Sequence, residues 1–245
     1  MYDNVDYAAA LDAADELPSP FDDGTADDEG TTYGEFPFSF LAALLEELNP
    51  PADAYFMDLG SGRGQIALAA SQLRPWGGCG GVELLPELHC IAVEAQRVVS
   101  SQMVDQNFKT TQPNSQSRVG DSSDASKHPS PTSNCDFSFK VGDMYSTSSI
   151  EALTDKDCPL VVFAYATCLE VNTKGELQKL TDALAYVPTG TTVITVNRPL
   201  ASHPSGCSSG ADSPSFVLVR AVKGPNPEIN GHEQHSTAFV WRKEV

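Results

Sequence analysis

The first clear pattern along the chain is an amphipathic stretch at residues 38–48. Its apolar residues recur at three- and four-residue intervals: Phe38, Leu41, Leu44, Leu45 and Leu48. Such spacing places them on one face of a helix, and the following Asn49-Pro50-Pro51 cannot continue a helix. The pattern predicts a helix that packs on a core through this face.

Short apolar runs then alternate with helical stretches. The predicted strands are 54–59, 79–83, 137–141, 159–164 and 191–196. The predicted helices between them are 65–73, 86 to about 103, 149–153 and 172–185. Two β-rich runs, 216–222 and 237–243, have no helical pattern between them and predict an antiparallel hairpin at the sheet edge. This alternation predicts an α/β fold: a seven-stranded, mostly parallel, doubly wound sheet with a C-terminal antiparallel hairpin.

Two polar segments interrupt the pattern. Residues 1–31 mix Ala with acidic residues, Pro and Gly, and predict an acidic disordered tail. Residues 104–134 are rich in Ser, Gln, Asn, Asp and Pro, and predict a flexible insertion that buries no core. A chain of 245 residues otherwise fits one sizeable domain, here 32–245.

Charge is distributed unevenly along the chain. The net charge is −18, yet residues 1–62 hold 15 of the 33 acidic residues and no Lys or Arg, which leaves 18 acidic against 15 basic residues in the remainder. A nearly neutral domain argues against direct nucleic-acid binding, which needs a basic face. The acidic segment is either a solvated tail or a surface that attracts a basic partner such as a histone.

Neither targeting nor metal signals stand out. No apolar run is long enough to span a membrane, and the N-terminus lacks the basic and apolar regions of a signal peptide. The six cysteines lie far apart without a C-x-x-C pair, so we expect reduced thiols and no metal site. We therefore expect an intracellular protein, nuclear if its substrate is histone and otherwise cytoplasmic.

A glycine-rich turn, 58–64, separates the first predicted strand from its helix. Its sequence is Asp58-Leu-Gly60-Ser61-Gly62-Arg-Gly64, and Gln65 begins the helix. Small residues let the backbone approach a ligand, and the helix N-terminus offers free N–H groups. Because residues 62–67 also satisfy G-x-G-x-x-A, a dinucleotide-dependent oxidoreductase remains an alternative.

Asp58 separates the two cofactor classes. Its carboxylate would repel the pyrophosphate of a dinucleotide, whereas S-adenosyl-L-methionine has no phosphate and carries an ammonium group that a carboxylate can bind. Two further acids mark the ends of predicted strands: Glu83, at the end of the second and suited to ribose hydroxyls, and Asp143, after the third and suited to the adenine amino group with Met144 against the ring. Alternatively, Asp58 caps a helix, Glu83 is a surface acid and Asp143 forms a turn.

Four motifs resemble those of the Dot-type, non-SET histone-lysine methyltransferases, which are class I methyltransferases with a Rossmann-like fold. Thr32-Tyr33-Gly34-Glu35 resembles V-Y-G-E, and residues 56–65 resemble F-V-D-L-G-S-G-V-G-Q. Gly81-Val-Glu83 resembles G-V-E, and Gly142-Asp143-Met144 resembles G-D-F. The likeness covers roughly residues 32–200, apart from the predicted insertion.

The resemblance implies a role for each matching residue. Glu35 and Asp58 would hold the methionine moiety, Glu83 the ribose and Asp143 the adenine, with Met144 at the family's aromatic position. The cofactor loop would consist of these residues: Gly60, Ser61, Gly62, Gly64 and Gln65. Tyr33 would help to form a channel for the lysine substrate.

Two departures from the family pattern affect the acceptor side. Ala164-Tyr165-Ala166 stands in place of N-N-F, and Phe36 in place of Thr. Tyr33 and Tyr165 are the predicted catalytic-site residues and line the channel with Phe36, although such aromatics also serve as core packing. Three functions remain open: a protein-lysine methyltransferase, a methyltransferase for another protein site or a small molecule, and a non-catalytic cofactor-binding module.

A further segment, Asn197-Arg198-Pro199-Leu200, follows the fifth predicted strand. It partly resembles the N-P-P-[FYW] motif of methyltransferases that act on amino groups of nucleic acids. Arg198 interrupts the match at its second position, so the segment gives little support to a nucleic-acid substrate.

Overall fold

The computed structural model describes residues 36–110, 135–154, 158–205, 215–225 and 235–244, with the backbone alone in 102–110 and 152–154. The predicted tail, the Tyr33-Gly34-Glu35 motif and residues 111–134 of the predicted insertion lie outside the described residues. Within these ranges no helix is long and apolar enough to cross a membrane.

The seven strands form one sheet. They are β1 (Tyr55–Leu59), β2 (Gly78–Glu83), β3 (Phe137–Val141), β4 (Leu160–Tyr165), β5 (Thr192–Val196), β6 (Ser215–Pro225) and β7 (His235–Glu244). Their spatial order is β3-β2-β1-β4-β5-β7-β6. The first five are parallel, while β7 runs antiparallel to both β5 and β6. The predicted mostly parallel sheet with a terminal antiparallel hairpin is confirmed.

Helices cover both faces of this sheet. They are α1 (Phe38–Leu48), α2 (Gln65–Leu73), α3 (Pro86–Thr110), α4 (Thr147–Thr154) and α5 (Gln178–Ala183), the last continued by a 3₁₀ turn at Leu184–Tyr186. One core layer joins α1 and α2 to the sheet through Phe56, Phe163 and Trp76. The opposite layer contains Ile150 of α4 and Leu180 of α5. Because both faces are covered, β1 is buried along its whole length, as its continuous apolar run predicts.

The glycines of β2 lower its strand propensity, but close packing against neighbouring residues leaves no room for larger side chains. A Cβ at Gly80 would lie 2.0 Å from the Ser138 carbonyl oxygen and 2.3 Å from the Tyr55 hydroxyl oxygen. A Cβ at Gly78 would lie 2.8 Å from the Tyr55 ring. The strand thus forms because close packing against its neighbours requires glycine, and tertiary contacts outweigh intrinsic propensity.

Two helix boundaries differ from the prediction by more than two residues. The helix predicted over 172–185 begins only at Gln178, because Asn172 closes a turn: its side-chain oxygen accepts hydrogen bonds from the backbone N–H groups of Lys174 and Glu176. Gly175 in that turn has a left-handed φ of 78°. In the other case, α3 continues beyond the predicted end near Met103 to Thr110, into the first residues of the predicted insertion.

Candidate active site

The carboxyl ends of the parallel strands meet at one edge of the sheet. There the strand order reverses between β1 and β4, the position at which open α/β sheets form a ligand crevice. Asp58 and Glu83 lie at the ends of β1 and β2, Asp143 lies just after β3, and Tyr165 ends β4. The structure therefore brings these predicted site residues to a common edge.

The glycine turn folds tightly between β1 and α2. The Gly60 and Ser61 N–H groups both donate to the Val82 carbonyl at 2.9 Å, and the Gly64 N–H donates to the Ser61 carbonyl at 2.7 Å. Gly60, Gly62 and Gly64 have φ values of 74°, 51° and 75°, in the left-handed region that favours glycine. The turn thus leaves Gln65 as the first residue of α2 at the crevice.

Glu83 connects β2 to this turn. Its Oε2 accepts from the Gly62 N–H at 2.6 Å and its Oε1 accepts from the Leu85 N–H at 2.9 Å. Burial raises the pKa of the Glu83 carboxyl, while hydrogen bonds from these backbone groups act in the opposite direction. Glu83 is not a surface acid, as one reading of the sequence allowed, because it is only 7% exposed. Its oxygens keep lone pairs for further donors such as ribose hydroxyls.

Asp58 is buried without a partner in the described part of the chain. It is 3% exposed, and burial together with the nearby Glu83 carboxylate raises its pKa to about 8. In the sheet register it lies between Phe163 of β4 and Gly81 of β2, and Gly81 lies beside Phe139 of β3. Asp58 thus lies between a phenylalanine and a glycine, and burial together with the nearby Glu83 carboxylate makes its ionisation unfavourable.

Gly81 lets Ser61 pack against the sheet. A Cβ at Gly81 would lie 2.4 Å from the Ser61 Cβ and 2.8 Å from the Asp58 carbonyl oxygen. The buried Ser61 hydroxyl has no hydrogen-bond partner within the described residues. Glycine at this position therefore keeps the turn close to the sheet.

This arrangement fits a cation better than a phosphate. A buried carboxylate without a donor is stabilised when a positive ligand group approaches, whereas a pyrophosphate would add charge of the same sign beside Asp58 and Glu83. The residues present therefore fit S-adenosyl-L-methionine, whose sulfonium and ammonium groups are positive. They do not favour the dinucleotide alternative.

Asp143 and Met144 lie in the turn after β3. The Asp143 Oδ1 accepts from the Tyr145 N–H at 2.8 Å, as expected of a turn-forming residue, and its contact with adenine stays a prediction. Met144 approaches the glycine turn, since a Cβ at Gly60 would lie 3.0 Å from its terminal methyl carbon. The turn after β3 and the glycine turn thus face each other.

On the other side of the crevice, Tyr165 belongs to an aromatic cluster. The Phe36 ring lies 5.6 Å from that of Tyr165, 5.2 Å from that of Phe163 and 5.1 Å from that of Phe40. Phe36 is buried and serves as core packing, while Tyr165 is half-buried. Tyr33 and Glu35 lie outside the described residues, but Phe36 fixes the chain immediately after them at the end of β4.

Asn197 is a residue of this edge whose contacts the sequence does not reveal. It follows β5 in a left-handed conformation, and its amide reaches Thr167 after β4 and Thr237 in β7. The available signal was an Asn directly after a predicted strand, because Asn tolerates the left-handed conformation better than most residues. In the described ranges no group of three metal-binding side chains occurs.

Sequence comparison finds one family in part of the chain. The family described as "Histone methylation protein DOT1" matches residues 26–108, about a third of the 245 residues. No curated protein matches the sequence. The predicted resemblance to Dot-type methyltransferases is confirmed over this region, which includes the glycine turn and Glu83.

Comparison with solved structures identifies the fold. The rRNA methyltransferase AviRa from Streptomyces viridochromogenes matches with a TM-score of 0.50 and 12% identity, over 98% of this chain and 93% of that chain. An RNA methyltransferase from Salinibacter ruber, solved with S-adenosyl-L-homocysteine, has a TM-score of 0.47 and 18% identity, over 85% and 93% of the two chains. The similarity to AviRa and the observed strand order show that this chain has the Rossmann-like class I methyltransferase fold and, in residues 26–108, resembles the Dot-type family.

Proposed function

We propose that this protein is an S-adenosyl-L-methionine-dependent methyltransferase that methylates a lysine side chain of a protein. The observation that carries the proposal is Asp58, a buried acid at the glycine turn of a class I methyltransferase fold, whose pKa is raised to about 8 by burial and by the Glu83 carboxylate. A cofactor that carries positive charge resolves the unfavourable burial of this acid. The match of residues 26–108 to the Dot-type family supports the lysine acceptor.

The cofactor, when bound, supplies a methyl group on a sulfonium that an amine can attack in line. Asp58, with Glu35 of the preceding segment, would hold the methionine moiety. Glu83 would hold the ribose and Asp143 the adenine, with Met144 against the ring. Gly60, Ser61, Gly62, Gly64 and Gln65 would line the backbone cradle, since the positive φ angles of its three glycines fold the backbone tightly at the start of α2.

The acceptor side has the apolar character that a lysine nucleophile needs. Phe163 lies beside Asp58 in the register, and the half-buried Tyr165 at the end of β4 is supported from the core by Phe36. Apolar walls disfavour the ammonium form of an entering lysine and so lower its pKa toward the reactive free amine. Tyr165, with Tyr33 from the preceding segment, would orient the amine, and most of the catalysis would come from positioning and water exclusion.

The acidic N-terminal segment favours a basic protein partner. Residues 1–62 contain 15 acidic residues and no Lys or Arg, so they attract a cationic chain such as a histone tail at moderate salt. A histone substrate would place the protein in the nucleus, and another protein substrate would place it in the cytoplasm.

RNA is the second candidate acceptor. AviRa, which shares the fold, is named an rRNA methyltransferase, and this similarity is the observation in its favour. The charge distribution opposes it, because the chain beyond residue 62 has 18 acidic and 15 basic residues and thus no net positive charge. The absence of direct nucleic-acid binding stays a prediction.

The test measures transfer of a radiolabelled methyl group to core histones, nucleosomes, ribosomal RNA and lysate proteins. Wild type is compared with Gly62→Arg, which places a bulky cation in the turn. Gly190→Arg is the matched control. Gly190 also has a positive φ, and it precedes β5 at the amino ends of the parallel strands, away from the crevice. We expect labelled lysine in protein for wild type and the control, and none for Gly62→Arg.

Other outcomes select between the remaining functions. Labelled RNA without labelled protein would show that the methyl acceptor is RNA and not a protein lysine. Cofactor binding in calorimetry with no labelled acceptor would favour a non-catalytic module. Failure of the wild type to bind the methyl donor would refute the methyltransferase proposal as a whole.

A further inference from the structure

The residue directly after β5, Asn197, has an unusual backbone conformation. Its φ is 67°, and it is one of two non-glycine residues with positive φ in the described part of the chain, the other being Asn49. Asn adopts this conformation more readily than other side chains, but the conformation still costs free energy relative to ordinary backbone. Surrounding contacts must therefore hold Asn197 in place.

Those contacts join three elements of the sheet edge. The Asn197 side-chain N–H donates to the Thr167 hydroxyl at 3.0 Å, in the turn that follows β4. Its side-chain oxygen accepts from the Thr237 N–H of β7 at 3.1 Å, and its own N–H donates to the Thr237 carbonyl at 2.7 Å. One amide thus fixes the turn after β4 relative to two neighbouring strands.

The residues after Asn197 strengthen this connection. The Pro199 carbonyl accepts from the Leu177 N–H at 2.8 Å, and the Ala201 N–H donates to the Thr181 hydroxyl oxygen at 3.0 Å. The Ala166 N–H, in the turn itself, donates to the Val196 carbonyl at 3.2 Å. The segment 197–201 therefore ties both ends of the connection between β4 and α5 to the sheet.

The position of this turn relative to the cofactor residues suggests its role. Glu83 and Asp143 lie on the β2 and β3 side of the crevice, with Asp58 between them and β4. A cofactor held by these acids occupies the β1 to β3 side, so its methyl acceptor enters from the side of β4 and β5. Tyr165 and the turn with Thr167 form that side, and both residues are partly exposed.

We propose that Asn197 is a positioning residue for the methyl acceptor: through Thr167 it holds the turn after β4 in the shape that orients the acceptor beside the cofactor. This inference rests on the proposed function and adds the residue that sets the geometry of its acceptor side. Asn197 itself need not contact the acceptor, since its side-chain oxygen and one N–H are already engaged within the fold.

The experiment measures steady-state methylation of core histones and, separately, calorimetric binding of S-adenosyl-L-homocysteine. Asn197→Gly keeps the left-handed backbone and removes the amide, and Thr167→Val removes the hydroxyl that the amide binds. Asn197→Asp is the conservative variant, because its carboxylate can accept from both the Thr167 hydroxyl and the Thr237 N–H. Asn49→Gly is the matched control, a left-handed Asn at the end of α1.

We expect Asn197→Gly and Thr167→Val each to lower kcat/KM for histone about tenfold, with the dissociation constant of S-adenosyl-L-homocysteine unchanged. The double variant should be no worse than Asn197→Gly alone, because that variant has already lost the bond to Thr167. Asn197→Asp should recover most of the activity, and Asn49→Gly should retain all of it. A merely structural role does not predict this separation of catalysis from cofactor binding.

Three results would overturn the inference while leaving the proposed function intact: unchanged kcat/KM in Asn197→Gly, an equal loss of cofactor affinity in that variant, or additive losses in the double variant. A wild type that binds the cofactor but labels neither histones nor lysate proteins would overturn both. The two failures are distinguishable because only the second appears in the wild-type protein.

Discussion

Replacing Asp58 by Asn should stabilise the unliganded protein. Asp58 is buried, and its pKa is raised from 3.8 to about 8, first by burial and second by the Glu83 carboxylate. At neutral pH the folded state therefore holds a protonated, uncharged carboxyl in this position, whereas the unfolded state holds an ionised one. Asn has nearly the same shape as the protonated acid and needs no proton.

The magnitude follows from proton linkage. Between pH 4 and pH 8 the unfolded chain has released the Asp58 proton and the folded chain has not, so rising pH favours unfolding by up to ~1.4 kcal/mol per pH unit. The stability that the protonated form contributes is complete below pH 4 and is lost as the pH rises toward 8. At pH 7 we expect Asp58→Asn to raise the free energy of unfolding by about 2–4 kcal/mol.

The assay is urea denaturation of wild type and Asp58→Asn at several pH values from 4 to 8, without cofactor. Titration of groups distant from Asp58 is shared by both proteins, so the difference between their unfolding free energies isolates Asp58 together with its coupling to Glu83. Asp53→Asn is the matched control, since Asp53 is an exposed acid just before the same strand. We expect the control to follow the wild type at every pH.

The same variant should bind the cofactor poorly, because it cannot present a negative charge to the ammonium or sulfonium group. Greater stability with lost affinity is the signature of a site that is strained until its ligand binds. The reasoning is refuted if Asp58→Asn is less stable than wild type at pH 7, or if the stability difference is the same at pH 4 and pH 8.

Three further outcomes follow from the same geometry. Near pH 6.5, binding of S-adenosyl-L-homocysteine should release about one proton, measured by calorimetry in buffers of different ionisation enthalpy, and Asp58→Asn should abolish the release. Glu83→Gln should lower the pKa of Asp58 in the folded protein, because the Glu83 charge contributes to raising it. The loss of stability with rising pH should therefore end at a lower pH in this variant than in the wild type. Gly81→Ala, whose Cβ would lie 2.4 Å from that of Ser61, should weaken cofactor binding at least about tenfold. Its control, Gly190→Ala, meets no atom within 4 Å and should cost about 1 kcal/mol of stability without changing affinity.

The order of the elements was predictable because each buried strand is also a continuous apolar run. β1 and β4 lie between two helical layers, so the apolar pattern of the chain marks them directly. The start of α5 was not predictable from periodicity, because a side-chain hydrogen bond from Asn172 competes with the helix. The extension of α3 to Thr110 was not predictable for a different reason: beyond Val99 the sequence loses the apolar periodicity that identifies helices.

In the candidate site, the positions of the acids were predictable and their environments were not. Asp58 and Glu83 lie at the ends of strands and Asp143 follows one, and parallel strands bring their carboxyl ends together. Whether each acid is buried, paired or exposed depends on residues far away in sequence, such as Gly62 for Glu83 and Phe163 for Asp58. The sequence also left Phe36 open between a channel and the core, and only its contacts decide for the core.

The two departures from the Dot-type pattern are in contact with each other. Phe36 stands where the family has Thr, Tyr165 stands within the segment that replaces N-N-F, and their rings are 5.6 Å apart. Replacing Phe36 alone by Thr would leave a cavity beside Phe163 and remove the support of the Tyr165 ring. Loss of activity in that variant would therefore reflect damaged core packing and not a changed preference for the acceptor. We therefore expect the side chains at positions 36 and 165 to be coupled. A test of whether these residues determine the acceptor must therefore compare the wild type with Phe36→Thr, Tyr165→Asn and the double variant. Only the coupling between the two positions distinguishes a change of acceptor from a change in core packing.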